Sequence, residues 1–130
     1  MTRSLAQKRA DDALTKIETM AANGGYGKYK SYVSSLPAEI LMSGLGQAMA
    51  LAKSKKKLDG YDKLYQHLSG WLCAGRPYNG SDLIREIAGN SEADYIRAQA
   101  EAMAYLEWLK KFAVALLEED NKEAPYDPAS

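Results

Sequence analysis

Apolar residues recur along the chain every three or four positions, the spacing of one face of an α-helix. In residues 4–22, Ala6, Ala10, Ala13, Leu14, Ile17, Met20 and Ala21 share such a face. Arg3, Lys8, Arg9, Asp12, Lys16 and Glu18 lie largely off it. Asn23-Gly24-Gly25 ends that pattern, because glycine accepts the left-handed backbone of a helix C-terminus. Tyr26, Tyr29, Tyr32, Val33 and Leu36 then repeat at helical spacing, which predicts a short second helix over 27–35. Pro37 resets the backbone and suits a first helical turn, with Ser34 and Ser35 as capping hydroxyls and Glu39 near the positive end of the dipole. A central helix is expected from Pro37 to the run Lys53, Lys55, Lys56 and Lys57, apolar around most of its circumference and therefore buried by several neighbours.

Lys57-Leu58-Asp59-Gly60 is the next break, with Asp59 as its cap. Tyr61, Leu64, Tyr65, Leu68, Trp71 and Leu72 follow as a strongly amphipathic set. Residues 75–81 are rich in breakers and read as a loop. Asp82 to Ala88 forms a short helix closed by Gly89-Asn90. Ser91 caps the longest element, about 27 residues or roughly 40 Å, with Tyr95, Ala98, Ala102, Tyr105, Leu106, Leu109, Phe112, Ala113, Leu116 and Leu117 on one face. No segment alternates like a half-buried strand. The pattern predicts an all-α bundle of about six helices, two of them short, with a long C-terminal helix. Residues 1–120 are expected as one all-helical domain, with 121–130 a flexible acidic tail.

Composition adds one fact to this picture. The 17 basic and 17 acidic residues cancel. Five acids fall within 118–130 (Glu118, Glu119, Asp120, Glu123 and Asp127) against one Lys122, leaving 16 basic and 12 acidic residues in the body. A basic body with an acidic end is a charge asymmetry that bears on partners. A lone Cys73 excludes an internal disulfide, and no Cys/His cluster has metal-binding spacing. No signal core and no apolar run long enough for a membrane span is evident, so the chain is expected to be cytoplasmic, with no membrane partner and no cofactor.

Enzymatic chemistry finds little to build on. A catalytic histidine needs a nucleophile or an orienting acid beside it, and His67, the single histidine, has none in view. Cys73 would need a depressed pKa to react, for which Arg76 is the one local hint. Gly44-Leu45-Gly46 is no phosphate loop, since it lies inside a helical pattern instead of between a strand and a helix. There, the two glycines point to close approach of another helix. Gln47 is a candidate for a buried network or a surface contact. Asp11-Asp12 and Glu118-Glu119 point to different sides of a helix and do not suit a shared proton or metal. A small hydrolase or nuclease using His67 is the third-ranked class.

The lysines carry more. Lys53, Lys55, Lys56 and Lys57 concentrate charge at one helix end, with Lys63 close in sequence. Lys28 and Lys30 interleave with the tyrosines, and Lys110 and Lys111 form a separate pair. Either these lysines merely suit a solvated surface, or they clamp phosphates and make binding salt-dependent. Tyr26, Tyr29 and Tyr32 could stack bases, although their spacing favours core packing.

Several segments resemble one known family. They are Lys28-Tyr29-Lys30-Ser31-Tyr32-Val33; Leu36-Pro37 followed by Ile40-Leu41-Met42-Ser43-Gly44-Leu45-Gly46-Gln47; Tyr65-Gln66-His67-Leu68 with Trp71-Leu72; and Tyr95, Ala98, Glu101-Ala102, Leu106 and Trp108-Leu109-Lys110-Lys111-Phe112-Ala113. Together, over about residues 4–119, the chain resembles the Cmr5 family, the small subunit of the type III-B CRISPR effector, the Cmr complex. The resemblance implies a non-catalytic helical subunit of a ribonucleoprotein for antiviral defence. Its implied partners are the other Cmr subunits, especially the backbone subunit, further copies of itself, and guide and target RNA. It brings no catalytic motif, so the nucleic-acid-binding candidates remain Lys28, Lys30, Lys53, Lys55, Lys56, Lys57, Lys110 and Lys111. The rival expectation is a protein-interaction module with no direct nucleic-acid contact.

Overall fold

The computed structural model describes residues 2–55 and 59–118. Among the described residues the regular structure is entirely helical, apart from one isolated bridge between Ala74 and Asn79. The six helices are α1 (Leu5–Asn23), α2 (Tyr29–Ser43), α3 (Leu45–Ser54), α4 (Asp59–Leu72), α5 (Leu83–Gly89) and α6 (Glu92–Leu116). The all-α expectation holds. Lys56, Lys57 and the 121–130 tail lie outside the described residues, as does the side chain of Asp59.

Local chemistry explains most of the helix ends. Ser4 caps α1 reciprocally with Gln7: the Gln7 N–H donates to Ser4 Oγ (3.1 Å) and the Ser4 N–H to Gln7 Oε1 (2.8 Å). Gly24 closes the same helix, its N–H donating to the Met20 carbonyl. Ser91 caps α6 by accepting from the Asp94 N–H (3.1 Å), with Glu92 and Asp94 in the first turn. The 25 residues of α6 span roughly 37 Å. α1, α2, α3 and α4 all pack against it. Ala98, Ala102, Tyr105, Leu106, Leu109 and Ala113 of α6 are fully buried at this junction. Trp71 of α4 stacks on Tyr105 of α6 at 4.9 Å with 5° between the rings.

The expected break at Pro37 is corrected. Pro37 lies inside α2, which runs on to Ser43. Ser34 and Ser35 therefore cap nothing; their hydroxyls donate back to the carbonyls of Lys30 and Tyr32. Proline fixes a φ compatible with a helix and forfeits one hydrogen bond. Burial of Val33, Leu36 and Ile40 along the same face offsets that loss. The chain breaks instead at Gly44, where φ is +86°. Two side chains of α6 hold this break: Gln99 Oε1 accepts from the Leu45 N–H and Tyr95 Oη from the Gly46 N–H, each at 2.9 Å. The expected close approach of another helix at this glycine pair is present, and α6 provides it.

Glycine is required at two contacts. A Cβ at Gly44 would lie 2.9 Å from Tyr95 Oη in a backbone region that L-residues avoid, and a Cβ at Gly60 would lie 2.5 Å from the backbone nitrogen of Tyr29. At Gly60 the obstacle is main chain, which cannot swing aside. Gly60→Ala is therefore expected to destabilise by about 3 kcal/mol or more and Gly44→Ala by about 1–3 kcal/mol. Urea unfolding followed by circular dichroism measures both; an unchanged midpoint in either variant contradicts the packing described.

Candidate nucleic-acid interface

The lysine candidates fall into unlike environments. Lys53, in the last turn of α3, pairs with Asp82 (3.2 Å) and lies 5.2 Å from the centre of the Tyr65 ring. The Tyr65 hydroxyl also donates to Asp82 (2.7 Å). That hydrogen bond first, and Lys53 second, hold the Asp82 carboxyl below its usual range. Lys53 is thus half-engaged by a fixed acid. Lys55 has its ammonium 4.7 Å from the centre of the Tyr61 ring, a cation–π geometry. Lys30 donates to the Leu117 carbonyl (3.4 Å), tying the start of α2 to the end of α6. Lys28, Lys110 and Lys111 are exposed, and no ion pair among the described residues involves them. Lys56 and Lys57 lie outside the described residues. The structure brings together Lys53 and Lys55 along α4, and it links Lys30 to the α6 end.

The tyrosines are committed to the fold. Tyr29 is fully buried, and Tyr26 is buried with its hydroxyl accepting from the Glu118 N–H (3.0 Å). Tyr32 stacks on Tyr61 at 3.6 Å. Core packing, not base stacking, is what their spacing encodes.

His67 sits within a chain of polar groups linking α1, α2, α4 and α6. Lys16 pairs with Asp12 (2.7 Å) and donates to Tyr105 Oη (2.9 Å) and to the His67 carbonyl (3.0 Å). The Tyr105 hydroxyl donates to Asp12. Tyr29 Oη and His67 Nδ1 are hydrogen-bonded at 2.7 Å. Burial, then the charge of Lys16, brings the imidazole down to about 3, and burial pushes the Tyr29 and Tyr105 hydroxyls upward. At neutral pH His67 is an uncharged structural link. Burial likewise pushes the Cys73 thiol up, away from reactive thiolate. Among the described residues no group of three or more His, Cys, Asp or Glu could hold a metal ion.

The family described as CRISPR-associated protein (Cas_Cmr5) matches residues 5–116. The chain belongs to the Cas_Cmr5 family. The CRISPR system Cmr subunit Cmr5 of Thermus thermophilus is 31% identical over 118 residues, covering 90% of this chain and 99% of that protein. The crystal structure of a CRISPR-associated Cmr5 family protein, also from Thermus thermophilus, superposes with a TM-score of 0.73 at 32% identity, covering 89% of this chain and all of that one. Membership of the Cas_Cmr5 family makes this a non-catalytic component of the Cmr system, associated with other Cmr subunits. The two folds share the helical architecture, and no described helix is long and apolar enough to cross a membrane.

Sequence reading missed a second cationic feature of this Cas_Cmr5 protein. Arg9 of α1 makes two hydrogen bonds to Glu101 of α6 (2.6 and 2.8 Å), and the Trp71 indole N–H donates to the same carboxylate (2.8 Å). Burial opposes the Glu101 charge, but the bonds from Arg9 and Trp71 prevail and hold its carboxyl below the usual range. The Arg76 guanidinium lies 3.9 Å from the centre of the Trp71 ring. Arginines at positions 9, 76 and 97 are far apart in sequence, and no spacing rule connects them. The breaker-rich 75–81 segment reads as a loop, but nothing in its pattern says what that loop packs against.

The state of His67 has a consequence for stability. Its folded value of about 3 lies below the unfolded 6.5, so the unfolded chain binds the extra proton as pH falls. Stability is complete above about pH 6.5 and is lost progressively toward pH 3. Between pH 7 and pH 5 the wild type should lose about 2 kcal/mol more than His67→Gln. Chemical denaturation of both proteins at the two pH values checks this; equal losses would show that the imidazole charges freely in the folded state.

Proposed function

We propose that this protein is a small subunit of a type III-B RNA-guided effector that stacks along the backbone subunits and lends cationic surface to the target RNA. Its family membership carries this reading, and the exposed Lys28, Lys110 and Lys111 support it. Cations without a fixed acid can neutralise phosphates and release counterions, whereas a lysine already paired adds less. Lys53 is accordingly the weakest of the eight candidates, and Lys30 and Lys55 are intermediate. The contact is to the sugar–phosphate backbone, so the subunit adds affinity and leaves specificity to base pairing with the guide.

One observation favours a second reading. Leu41 and Met42 at the end of α2 are 72% and 86% exposed, and Ile96 at the start of α6 is 61% exposed. The neighbouring Gly44 and Tyr95 are in contact, so these apolar groups occupy one end of the bundle. Such a patch suits a protein neighbour. In a complex both surfaces can serve; as the only role, it makes this an interaction module without nucleic-acid contact.

Charge reversal separates the two. Glutamate at Lys28, Lys110 and Lys111 together, or at Lys55, Lys56 and Lys57 together, should weaken target-RNA retention by the assembled complex while the subunit still folds and assembles. Each lost phosphate contact lowers the logarithmic salt slope by about 0.7, so three contacts remove about 2. Retention and slope unchanged in both variants would leave the interaction-module reading in place.

A further inference from the structure

A concave pocket of about 550 Å³ lies at the end of the bundle where α1 begins, the loop after α4 turns, and the first half of α6 passes. Its floor and walls include Leu5, Pro77 and Ala100, and its charges are Arg9, Arg76 and Arg97 against Glu101. Arg9 is spent on Glu101. Arg76 is positioned by the loop: its backbone N–H donates to the Leu72 carbonyl (3.2 Å), its guanidinium covers Trp71, and one of its nitrogens donates to the Ala74 carbonyl (3.1 Å). The rest of its donor fork has no hydrogen-bond partner among the described residues. Arg97 is exposed and, among the described residues, its one ion pair is with Asp94, at 3.3 Å within its own helix, a pair worth little in water. The site therefore offers two guanidinium groups over an apolar floor, which fits a carboxylate carried beside an apolar or aromatic group.

The chain holds such a segment. Residues 118–130 read Glu-Glu-Asp-Asn-Lys-Glu-Ala-Pro-Tyr-Asp-Pro-Ala-Ser, with Tyr126-Asp127 flanked by Pro125 and Pro128 and further acids upstream. This segment follows the far end of α6. From Arg97 to Leu117 is 20 residues of helix, roughly 30 Å. The ten residues from Leu117 to Asp127 reach at most about 36 Å. Doubling back along the same molecule would consume almost all of that length in a straight line after a full reversal. Reaching the pocket of another copy placed end to end requires no reversal.

We propose that the arginine pocket receives the acidic C-terminal segment of a second copy of this chain, with Asp127 on Arg76 and Arg97 and Tyr126 with its prolines on the apolar floor. An RNA strand is a poorer fit. Trp71 is 3% exposed, and its aromatic face is not open to a base. The pocket's apolar floor also has no counterpart in a phosphate backbone.

The test uses the full chain with a benzophenone amino acid in place of Tyr126. Copies labelled with ¹⁴N and ¹⁵N are mixed, irradiated and mapped by mass spectrometry. Cross-links joining light to heavy chains should land on residues 5–9, 75–77 and 97–101. Arg76→Glu with Arg97→Glu should reduce them at least fivefold. Adding Asp127→Lys and Glu123→Lys to the reversed pocket should restore them, which separates lost recognition from misfolding. Cross-links confined to single chains, mapping elsewhere, or insensitive to both reversals would overturn the proposal. So would competition by oligouridylate that depends on Arg76 and Arg97, because the pocket would then belong to RNA.

Discussion

The fold depends on α6 being covered along its length by four other helices. Its Ala98, Ala102, Leu106, Leu109 and Ala113 bring α1 and α2 close, while Tyr105 carries a polar tip into the centre. There Asp12, Lys16, Tyr105, His67 and Tyr29 satisfy one another across helix boundaries. A buried network of this kind stabilises only when all of its members are paired, and then it fixes which faces of the helices meet. The same helix reaches outward at its start, where Tyr95 and Gln99 take up the free N–H groups of α3. One element thereby sets the register of α1, the kink between α2 and α3, and the position of α4.

Much of this is legible in the chain, and what is not has a common cause. Helix count, the long final element, the cap at Ser91 and the buried tyrosines follow from local spacing and end chemistry. Local pattern puts the break between α2 and α3 seven residues early, at Pro37 instead of Gly44. Its true stabilisers, Tyr95 and Gln99, stand about fifty residues away in sequence. The lysines are visible as a cluster, but the pairing of Lys53 with Asp82 depends on α5 folding under α3. In the sequence Arg9 and Arg97 look like solitary surface charges, and Arg76 stands out only as a neighbour of Cys73. In each case the missing information is tertiary: which distant side chain arrives to occupy a donor, an acceptor or a charge.

The distribution of engaged and unengaged charge connects fold to function. Arg9, Lys16 and Lys53 are held by fixed acids and serve the bundle. Lys28, Lys110 and Lys111 stand in water with no such partner among the described residues. His67 and Cys73, the groups that could have signalled an enzyme, are held neutral by burial. Family membership makes the subunit non-catalytic, and the proposed contacts would use its exposed cations and its exposed apolar groups Leu41, Met42 and Ile96.

Ultraviolet cross-linking of target RNA to the assembled complex, with the modified peptides of this subunit read by mass spectrometry, tests that account most directly. Adducts should concentrate on peptides spanning residues 28–30, 53–57 and 110–111, and should fade as salt is raised. Adducts absent from this subunit while its neighbours are labelled, or confined to the Leu41, Met42 and Ile96 end, would contradict it.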